Sequence, residues 1–254
     1  GADSIPARHY DGVGVAKIVA DYANDFPRVD AFAKEVTVKV KTLGSSFGYS
    51  LPEIRKAQLA KNGLEQRRAN FAKRAIDELI ERLAWLGDED HGIKGFLNYP
   101  GITQAINPNG KTMKAGTADD AVAKVVELLD AVSVVTNGQS TPNTLLLPPT
   151  VYTYLSRTPY GDNKDKTILK FIRENYDNFT TIESLAMLNG AGADGTNRMI
   201  AYTMDPDNIS LEIPQTFEQL SPQQKAMEFE IPCYAECAGV IVRQPLTVAF
   251  MDGI

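Results

Sequence analysis

The chain has 254 residues and a formal net charge of −6, because 32 Asp and Glu outnumber 26 Lys and Arg. Its 43% hydrophobic and 23% charged residues are typical of a globular protein with a sizeable core, which excludes disorder of the whole chain. The acidic balance argues against a nucleic-acid-binding surface, and no run of about 18 apolar residues could span a membrane. Two histidines, His9 and His91, leave few candidates for catalysis.

The N-terminal region predicts a long β-hairpin. One candidate strand covers residues 12–20 and a second covers residues 29–42, where valines alternate with Thr37, Lys39 and Lys41. A turn-rich tip at residues 24–27 separates the strands. Two strands with little core between them are marginally stable alone, so we expect the hairpin to pack on its own subunit or on a neighbouring one.

A break and two helices should follow the hairpin. Glycine and serine at residues 44–48 predict the end of the strand, and Ser50 with Glu53 predicts a capping box that opens a helix. A second, longer helix is predicted over residues 64–86, with its charged face in solvent or against another subunit. Its expected core-facing stripe consists of Phe71, Ala75, Leu79, Leu83 and Leu86, widened by Ala72, Ile76 and Ile80.

The rest of the chain mixes helices and strands in an α+β order without alternating βαβ units. We expect a glycine-punctuated loop over residues 87–102 and then a hairpin formed by 102–106 and 112–115. Helices are predicted over residues 118–132, 149–155, 166–176 and 182–188, and strands over 144–147, 199–202 and 209–213. A β-rich stretch over residues 227–250 should be interrupted by Pro232 and Pro245.

Four short motifs suggest chemistry but fit a structural role better. Residues 190–195 match G-x-G-x-x-G, yet a predicted helix precedes them and a strand follows, the reverse of a dinucleotide site. Residues 110–112 lack the first glycine of a phosphate-binding loop, and the adjacent residues 88–91 cannot all converge on one metal ion. Cys233 and Cys237 lie about 13 Å apart on one strand face, which suits two core residues. We therefore predict no catalytic residue, cofactor or metal.

One segment carries a resemblance to a known family. Residues 92–102 read Gly-Ile-Lys-Gly-Phe-Leu-Asn-Tyr-Pro-Gly-Ile and follow a long predicted helix. This segment resembles the GI-x-GLLN-x-PG segment of a bacteriophage capsid family, with Phe96 in place of the usual leucine. Further similar segments occur in the same order at residues 10–16, 25–30, 143–149, 201–207 and 238–245. The chain is thereby identified as resembling the major capsid proteins of tailed phages, whose Hong Kong 97-type fold encapsulin shells share.

The resemblance implies an α+β fold with an extended β-hairpin loop, a long spine helix, a peripheral domain and an axial domain. The expected divisions are a remnant of an N-terminal arm at 1–9, the extended loop at 10–42, the peripheral domain at 43–116 with the spine helix at 64–86, the axial domain at 117–226, and closing strands of the peripheral domain at 227–254.

The function implied by this resemblance is structural. The chain would self-assemble into hexamers and pentamers of an icosahedral phage head, in the virion or from a prophage, after assembly in the bacterial cytoplasm. Its partners would be copies of itself, with scaffold, portal and decoration proteins as further candidates. It would enclose double-stranded DNA without sequence-specific binding, and it would need no membrane or cofactor.

We expect the extended loop to provide an assembly interface with a neighbouring subunit. Its apolar valines suit burial, at about 1.5 kcal/mol each at best, and its lysines suit a partner's carboxylates. The candidate interface residues are Val36, Val38, Val40, Lys39, Lys41, Phe26 and Arg28. Two alternatives stay open: an encapsulin-type compartment shell that captures cargo enzymes, and, more remotely, a hydrolase that uses scattered carboxylates.

Overall fold

The computed structural model describes residues 4–13, 30–53, 64–161 and 164–254. The helices are α1 (Leu64–Leu86), α2 (Ala118–Val135), α3 (Pro149–Arg157) and α4 (Ile168–Asn175). The strands are β1 (Ser4–Val13), β2 (Asp30–Lys39), β3 (Lys41–Ser50), β4 (Gly87–Asp88), β5 (Ile93–Lys94), β6 (Thr103–Gln104), β7 (Thr144–Leu147), β8 (Pro159–Tyr160), β9 (Lys166–Thr167), β10 (Thr181–Ser184), β11 (Arg198–Tyr202), β12 (Ile209–Glu212), β13 (Gln215–Gln219), β14 (Gln223–Lys225), β15 (Glu228–Cys237), β16 (Gly239–Val242) and β17 (Val248–Asp252). No described helix is long and apolar enough to cross a membrane.

The chain divides into two compact units, each assembled from separate segments. Unit one consists of Gly1–Gly95 and Leu211–Ile241, and unit two consists of Phe96–Ser210 and Val242–Ile254. Non-local pairing produces these units: β6 pairs with β17 in unit two, whereas β13 and β14 both pair with β15 in unit one. The division into peripheral and axial domains at 116/117 and 226/227 stays a prediction.

The hairpin of unit one is built from β1 and β2. They pair antiparallel from Ser4 opposite Lys39 to Val13 opposite Asp30. The predicted first strand at 12–20 is therefore wrong in its start, because residues 4–9, which we expected to be an arm remnant, already pair with β2. Residues 14–20 and the expected tip at 24–27 lie outside the described residues.

A sheet and helix α1 form the core of unit one. β3 and β15 pair antiparallel over ten residue pairs, and α1 covers one face of this ladder through Ala72 and Ile76. The expected break at residues 44–48 is wrong because these residues continue β3, and Pro232 does not interrupt β15 but lies opposite Ser46. Pairing with a distant strand here overrides the local preference of glycine and proline.

Helix α1 has the predicted bounds, but its buried face is rotated relative to the predicted stripe. Ala72, Ile76 and Leu83 are buried, whereas Phe71 is 68% exposed and Leu86 is also exposed. Ala75 is exposed as well. Each step of four residues turns the helix by about 40°, so Phe71 lies about 120° around the helix from Leu83. The predicted stripe winds away from the sheet for this reason.

Unit two is a five-stranded sheet in the order β10-β7-β11-β17-β6 with a large apolar core. β7 is buried along its whole length, as predicted. The predicted helix at 182–188 is wrong, because Thr181–Ser184 pairs parallel with β7 before a short 3-10 turn. The predicted hairpin of 102–106 with 112–115 is also wrong, since β6 pairs parallel with β17 instead.

Helix starts agree with the prediction where a side chain caps them. Thr117 and Asp120 form a complete capping box at the start of α2, and Ser50 and Glu53 exchange hydrogen bonds in the same way before a helical turn at residues 51–53. The helix predicted over 166–176 begins later, at Ile168, because Lys166–Thr167 pairs with β8.

Candidate assembly surfaces

The predicted interface residues are distributed over the hairpin and its root. Val38 is half-buried opposite Ile5, while Thr37 and Lys39 on either side of it are exposed, so β2 has one apolar and one polar face here. Val36 lies opposite Ala7 in the same register. Among the described elements, β1 and β2 contact each other extensively and no other element to a comparable extent. The apolar face of the hairpin therefore has no extensive cover within the described chain.

The other predicted residues lie elsewhere. Val40 is half-buried at the junction of β2 and β3, and Lys41 begins β3 opposite Cys237. Lys41 therefore belongs to the sheet of unit one and not to the β1–β2 hairpin. Phe26 and Arg28 lie outside the described residues.

The far end of β3 is fixed to α1 by one arginine. The Arg68 guanidinium donates to the Gly48 carbonyl and to the Glu53 carboxylate, with Nη2 3.1 Å from Oε1, and lies 4.9 Å from the centre of the Tyr49 ring. The hydrogen bond from Arg68, followed by the bond from the Ser50 backbone, lowers the pKa of Glu53. The ionised pair therefore ties the first turns of α1 to the end of β3.

The near end of β3 packs on the glycine segment that carried the family resemblance, because Leu43 and Ile93 belong to one buried cluster. β4 and β5 form a tight two-stranded turn after α1, and Gly87 has φ of 72°, a conformation that favours glycine. A Cβ on Gly95 would lie 2.2 Å from the Leu86 carbonyl carbon and 2.3 Å from the Gly87 nitrogen. The backbone of this segment thus packs directly on the end of α1, which leaves no room for a side chain.

Phe96, which stands where the family segment has leucine, has a packing partner in unit two. Phe96 is buried and packs edge-on against Tyr202, with ring centres 5.1 Å apart. The next residue, Leu97, accepts a hydrogen bond of 2.5 Å from Arg198 through its carbonyl. Phe96 and Leu97 therefore attach this segment to β11.

The G-x-G-x-x-G motif is a packing feature. The Arg198 guanidinium forms two hydrogen bonds with the Asp252 carboxylate, at 2.6 and 2.9 Å, and both side chains are about one-tenth exposed. The same carboxylate accepts from the Ala193 backbone at 3.1 Å. A Cβ on Gly192 would lie 2.9 Å from this carboxylate, so the glycine permits the close approach. The motif binds the chain's own Asp252.

The remaining motifs also occupy turns. His91 Nδ1 lies 2.8 Å from Asp88 Oδ2, and this hydrogen bond is the largest cause of the lowered pKa of Asp88. Among the described residues, no three metal-binding side chains come together. Residues 110–112 lie in a loop with no helix directly after them. Cys233 and Cys237 are buried and free, as predicted.

One buried charge-bearing residue was missed by sequence reasoning. Lys124 in α2 is fully buried, and its Nζ has no hydrogen-bond partner in the described structure. Burial lowers the pKa of Lys124, the Asp120 charge raises it, and the Lys111 charge lowers it further. The available signal was its position inside a segment, residues 121–129, that is apolar on nearly every side.

A two-stranded hairpin whose described apolar side chains are only half-buried offers a surface that another chain can cover. A family model described as major capsid protein matches residues 14–254. The chain belongs to the major capsid protein family. Its function is structural: it is a phage capsid protein and a component of the virion.

Solved capsids share the fold. The capsid of the myovirus phage XM1 matches with a TM-score of 0.80 and 19% identity, covering 100% of this chain and 86% of that one. The capsid of a native GTA particle matches with a TM-score of 0.64 and 10% identity, covering 99% and 85%. These matches confirm the Hong Kong 97-type fold. No curated protein sequence matches the chain.

A compartment shell is the less favoured alternative. A virus-like particle from Pyrococcus furiosus matches with a TM-score of 0.56 and 14% identity, covering 98% of this chain and 86% of that one. This likeness is lower than that to the phage XM1 capsid, and the family model that matches is that of major capsid proteins.

Proposed function

We propose that the chain is the repeating subunit of an icosahedral phage head, forming hexamers and pentamers that enclose double-stranded DNA. In this proposal unit two contains the axial domain and unit one contains the peripheral domain and the extended loop. The observation that carries the proposal is the β1–β2 hairpin, because its Ile5–Val38 face has no extensive cover among the described elements. A two-stranded ribbon is marginally stable until a further surface covers it.

The occupant of that face is a neighbouring subunit. Covering two aliphatic side chains that are already half-buried contributes at most about 3 kcal/mol per contact, which is weak alone but large when repeated around a shell. Lys39, exposed on the opposite face, would remain available to a carboxylate of a further copy. Repeated head-to-tail contacts of this kind close into rings when the rotation is constant.

The enclosed DNA needs no specific recognition. A net charge of −6 repels phosphate, so a wall built from this chain would not bind the enclosed DNA strongly. The proposal assigns the chain no catalytic activity. Scaffold, portal and decoration proteins are proposed further partners. Shells assembled from the purified chain should have the ultraviolet absorbance ratio of protein alone, and tightly retained nucleic acid would contradict the container role.

The experiment compares two single substitutions in adjacent positions of β2. Val38→Asp places a charge on the apolar face, whereas Thr37→Asp places the same charge on the exposed face. We expect Val38→Asp to fold but to reduce particle yield more than tenfold, and Thr37→Asp to assemble normally. Circular dichroism checks folding, and light scattering with negative-stain microscopy measures assembly. Normal particles from Val38→Asp would contradict the role given to the hairpin.

A further inference from the structure

Strand β3 has one unpaired edge in the sheet of unit one. It pairs with β15 along its other edge, and no other described strand pairs with it. The unpaired edge of a strand carries N–H and C=O groups with which an extended segment of another chain can pair. The direction of these groups along β3 therefore decides where a further strand can bind.

The backbone groups of the even-numbered residues of β3 point away from β15. The Leu51 nitrogen, one residue beyond the strand, donates to the Met227 carbonyl, so the odd-numbered residues pair with β15. The Gly48 carbonyl accepts from Arg68, and the Ser50 nitrogen donates to a glutamate side chain, which places both groups on the other edge. This alternation is that of an antiparallel ladder.

Three even-numbered residues leave this edge open. Within the described ranges, no hydrogen bond caps the outward backbone groups of Thr42, Gly44 and Ser46. All three residues are exposed. None of them is a proline or a charged residue, which are the usual protections of an edge strand. We call these three residues the open edge.

An apolar stripe of α1 lies on the same side of the sheet core as the open edge. Arg68 reaches the outward Gly48 carbonyl, so its side of α1 is the side of the open edge. Phe71, Ala75 and Leu79 lie within about 60° of Arg68 around the helix. Phe71 is 68% exposed, Ala75 is exposed and Leu79 is half-buried. We call these three residues the helix stripe.

The helix stripe and the open edge lie at the same level of unit one. Tyr49 and Ala72 belong to one buried cluster, and Leu43 and Leu83 belong to another. Helix α1 therefore runs antiparallel to β3, and the helix stripe occupies the span of α1 that faces the span of the open edge. A strand paired with the open edge would cover the helix stripe with every second side chain.

The opposite face of the sheet is acidic beside the open edge. Glu236 lies opposite Thr42, and Glu230 and Glu228 follow on the same face of β15. Lys225 pairs with Glu230 and neutralises one of these charges. Because the residues of the open edge are small, a long basic side chain on an added strand can extend across β3 to the remaining carboxylates.

The helix side carries little net charge. Arg74 pairs with Glu78 at 2.7 Å, and Glu78 also lies one turn before Arg82. The side of an added strand that meets α1 is therefore best matched by apolar residues. Its other side, beside the glutamates of β15, is best matched by basic ones.

We infer that the open edge and the helix stripe form a seat for an extended segment of a partner protein in which apolar and basic residues alternate. The backbone of this segment pairs with the open edge, its apolar side chains cover the helix stripe, and its basic side chains reach the glutamates of β15. A second copy of this chain is a poorer match, since its net charge is −6. The contact goes beyond the proposed shell, which does not require it.

Peptide binding to the full chain, measured on the unassembled subunit, tests this seat. The probe is a fluorescent peptide of about seven residues in which valine and lysine alternate, about 23 Å long as a strand. Fluorescence anisotropy gives its dissociation constant. Two isomers keep its charge but carry N-methyl groups, one on the valine nitrogens and one on the lysine nitrogens.

A paired strand directs every second N–H group to its neighbour. We therefore expect one N-methylated isomer to bind like the parent peptide and the other to bind more than tenfold more weakly. Equal binding of the two isomers would show attraction by charge alone and would overturn the inference.

Two variants remove one part of the seat each. Phe71→Ser removes the most exposed side chain of the helix stripe, and Gly44→Pro removes an outward N–H group that makes no bond to β15. Each should weaken binding of the parent peptide more than tenfold. Gln66→Ser is the matched control, because Gln66 is exposed on α1 about 140° around the helix from Phe71. Circular dichroism checks folding, and if Gly44→Pro does not fold, Phe71→Ser against Gln66→Ser decides.

The inference is overturned if the parent peptide does not bind, if a peptide of alternating valine and glutamate binds equally well, or if Phe71→Ser and Gln66→Ser bind alike. Light scattering of Phe71→Ser tests the occupant, since loss of particles in this variant alone would assign the seat to a second copy. Normal particles support a separate partner. Failure of the unsubstituted chain to form particles would contradict the proposed function only, because the peptide is measured on the unassembled subunit.

Discussion

Replacing Gly95 with alanine adds one methyl group that would lie directly against the backbone at the end of α1. The new Cβ would lie 2.2 Å from the Leu86 carbonyl carbon, 2.3 Å from the Gly87 nitrogen and 2.6 Å from the Trp85 oxygen. All three are backbone atoms at the end of α1, so no side chain can rotate to relieve the contact. An ordinary contact needs about 3.4 Å or more, so the end of α1 and the β4–β5 turn must separate by about 1 Å.

We expect the substitution to lower the free energy of unfolding by about 3 kcal/mol or more, the upper end of the range for overpacked cores. Domains have about 5–15 kcal/mol of stability in total, and each kcal/mol shifts the midpoint of a chain this size by about 2–4 °C. We therefore expect Gly95→Ala to lower the unfolding midpoint by about 6–12 °C. Thermal unfolding of the unassembled subunit, followed by circular dichroism, measures the shift.

Gly44→Ala is the matched control. Gly44 lies in β3 of the same unit, and a Cβ there would meet no heavy atom within 4 Å. This substitution should change stability by no more than about 0.5 kcal/mol. The steric argument is wrong if Gly95→Ala unfolds within about 1 °C of Gly44→Ala.

Two further substitutions concern unit two. Lys124→Met removes a buried amine without a partner and should stabilise the subunit by about 1–3 kcal/mol at neutral pH, unlike Lys73→Met on the exposed face of α1. Burial lowers the pKa of Lys124, so the unfolded chain binds the proton more readily than the folded chain. The stabilisation by Lys124→Met should therefore shrink as pH rises towards 10.5. Denaturant titrations over a pH series would show a constant stabilisation if this is wrong. Asp252→Asn removes the negative charge that pairs with the largely buried Arg198, and it should lower the free energy of unfolding by about 3–5 kcal/mol. In the same titration Asp194→Asn, whose carboxylate is exposed, should be neutral, and equal effects of the two would contradict the assignment.

The sequence alone was sufficient to predict elements that depend on neighbouring residues, such as a capped helix start or an apolar buried strand. The capping box of Ser50 and Glu53 predicted one helix start, because the two partners lie within four residues of each other. The run Thr144–Leu147 was recognisable as a buried strand because every position is apolar or β-branched. In the family segment at residues 92–102, Gly95 is required by close backbone contacts, and Gly92 and Gly101 have a positive φ that favours glycine.

Non-local pairing explains what the sequence could not indicate. Residues 44–48 and Pro232 look like strand breakers, yet each lies opposite the other's segment in the β3–β15 ladder, almost 190 positions away. The exposed side of α1 was misassigned because a row of apolar residues four apart winds around the helix, and only the sheet decides which part is covered. The assembly residues were predicted on a strand whose role depends on a neighbour, so the chain's own structure places Val38 and Lys39 without testing that role.

The direction of the hairpin depends on how β3 is held in unit one. β2 continues into β3 through Val40, so the direction of the hairpin is set by the orientation of β3. A ten-residue strand is about 33 Å long, and a tilt of about 5° at its root would displace its far end by about 3 Å. A displacement of that size exceeds the tolerance of a packed apolar contact. Arg68 at one end of β3 and Gly95 beside the end of α1 restrict this tilt, and a subunit that must reach the same point on every neighbour depends on that restriction.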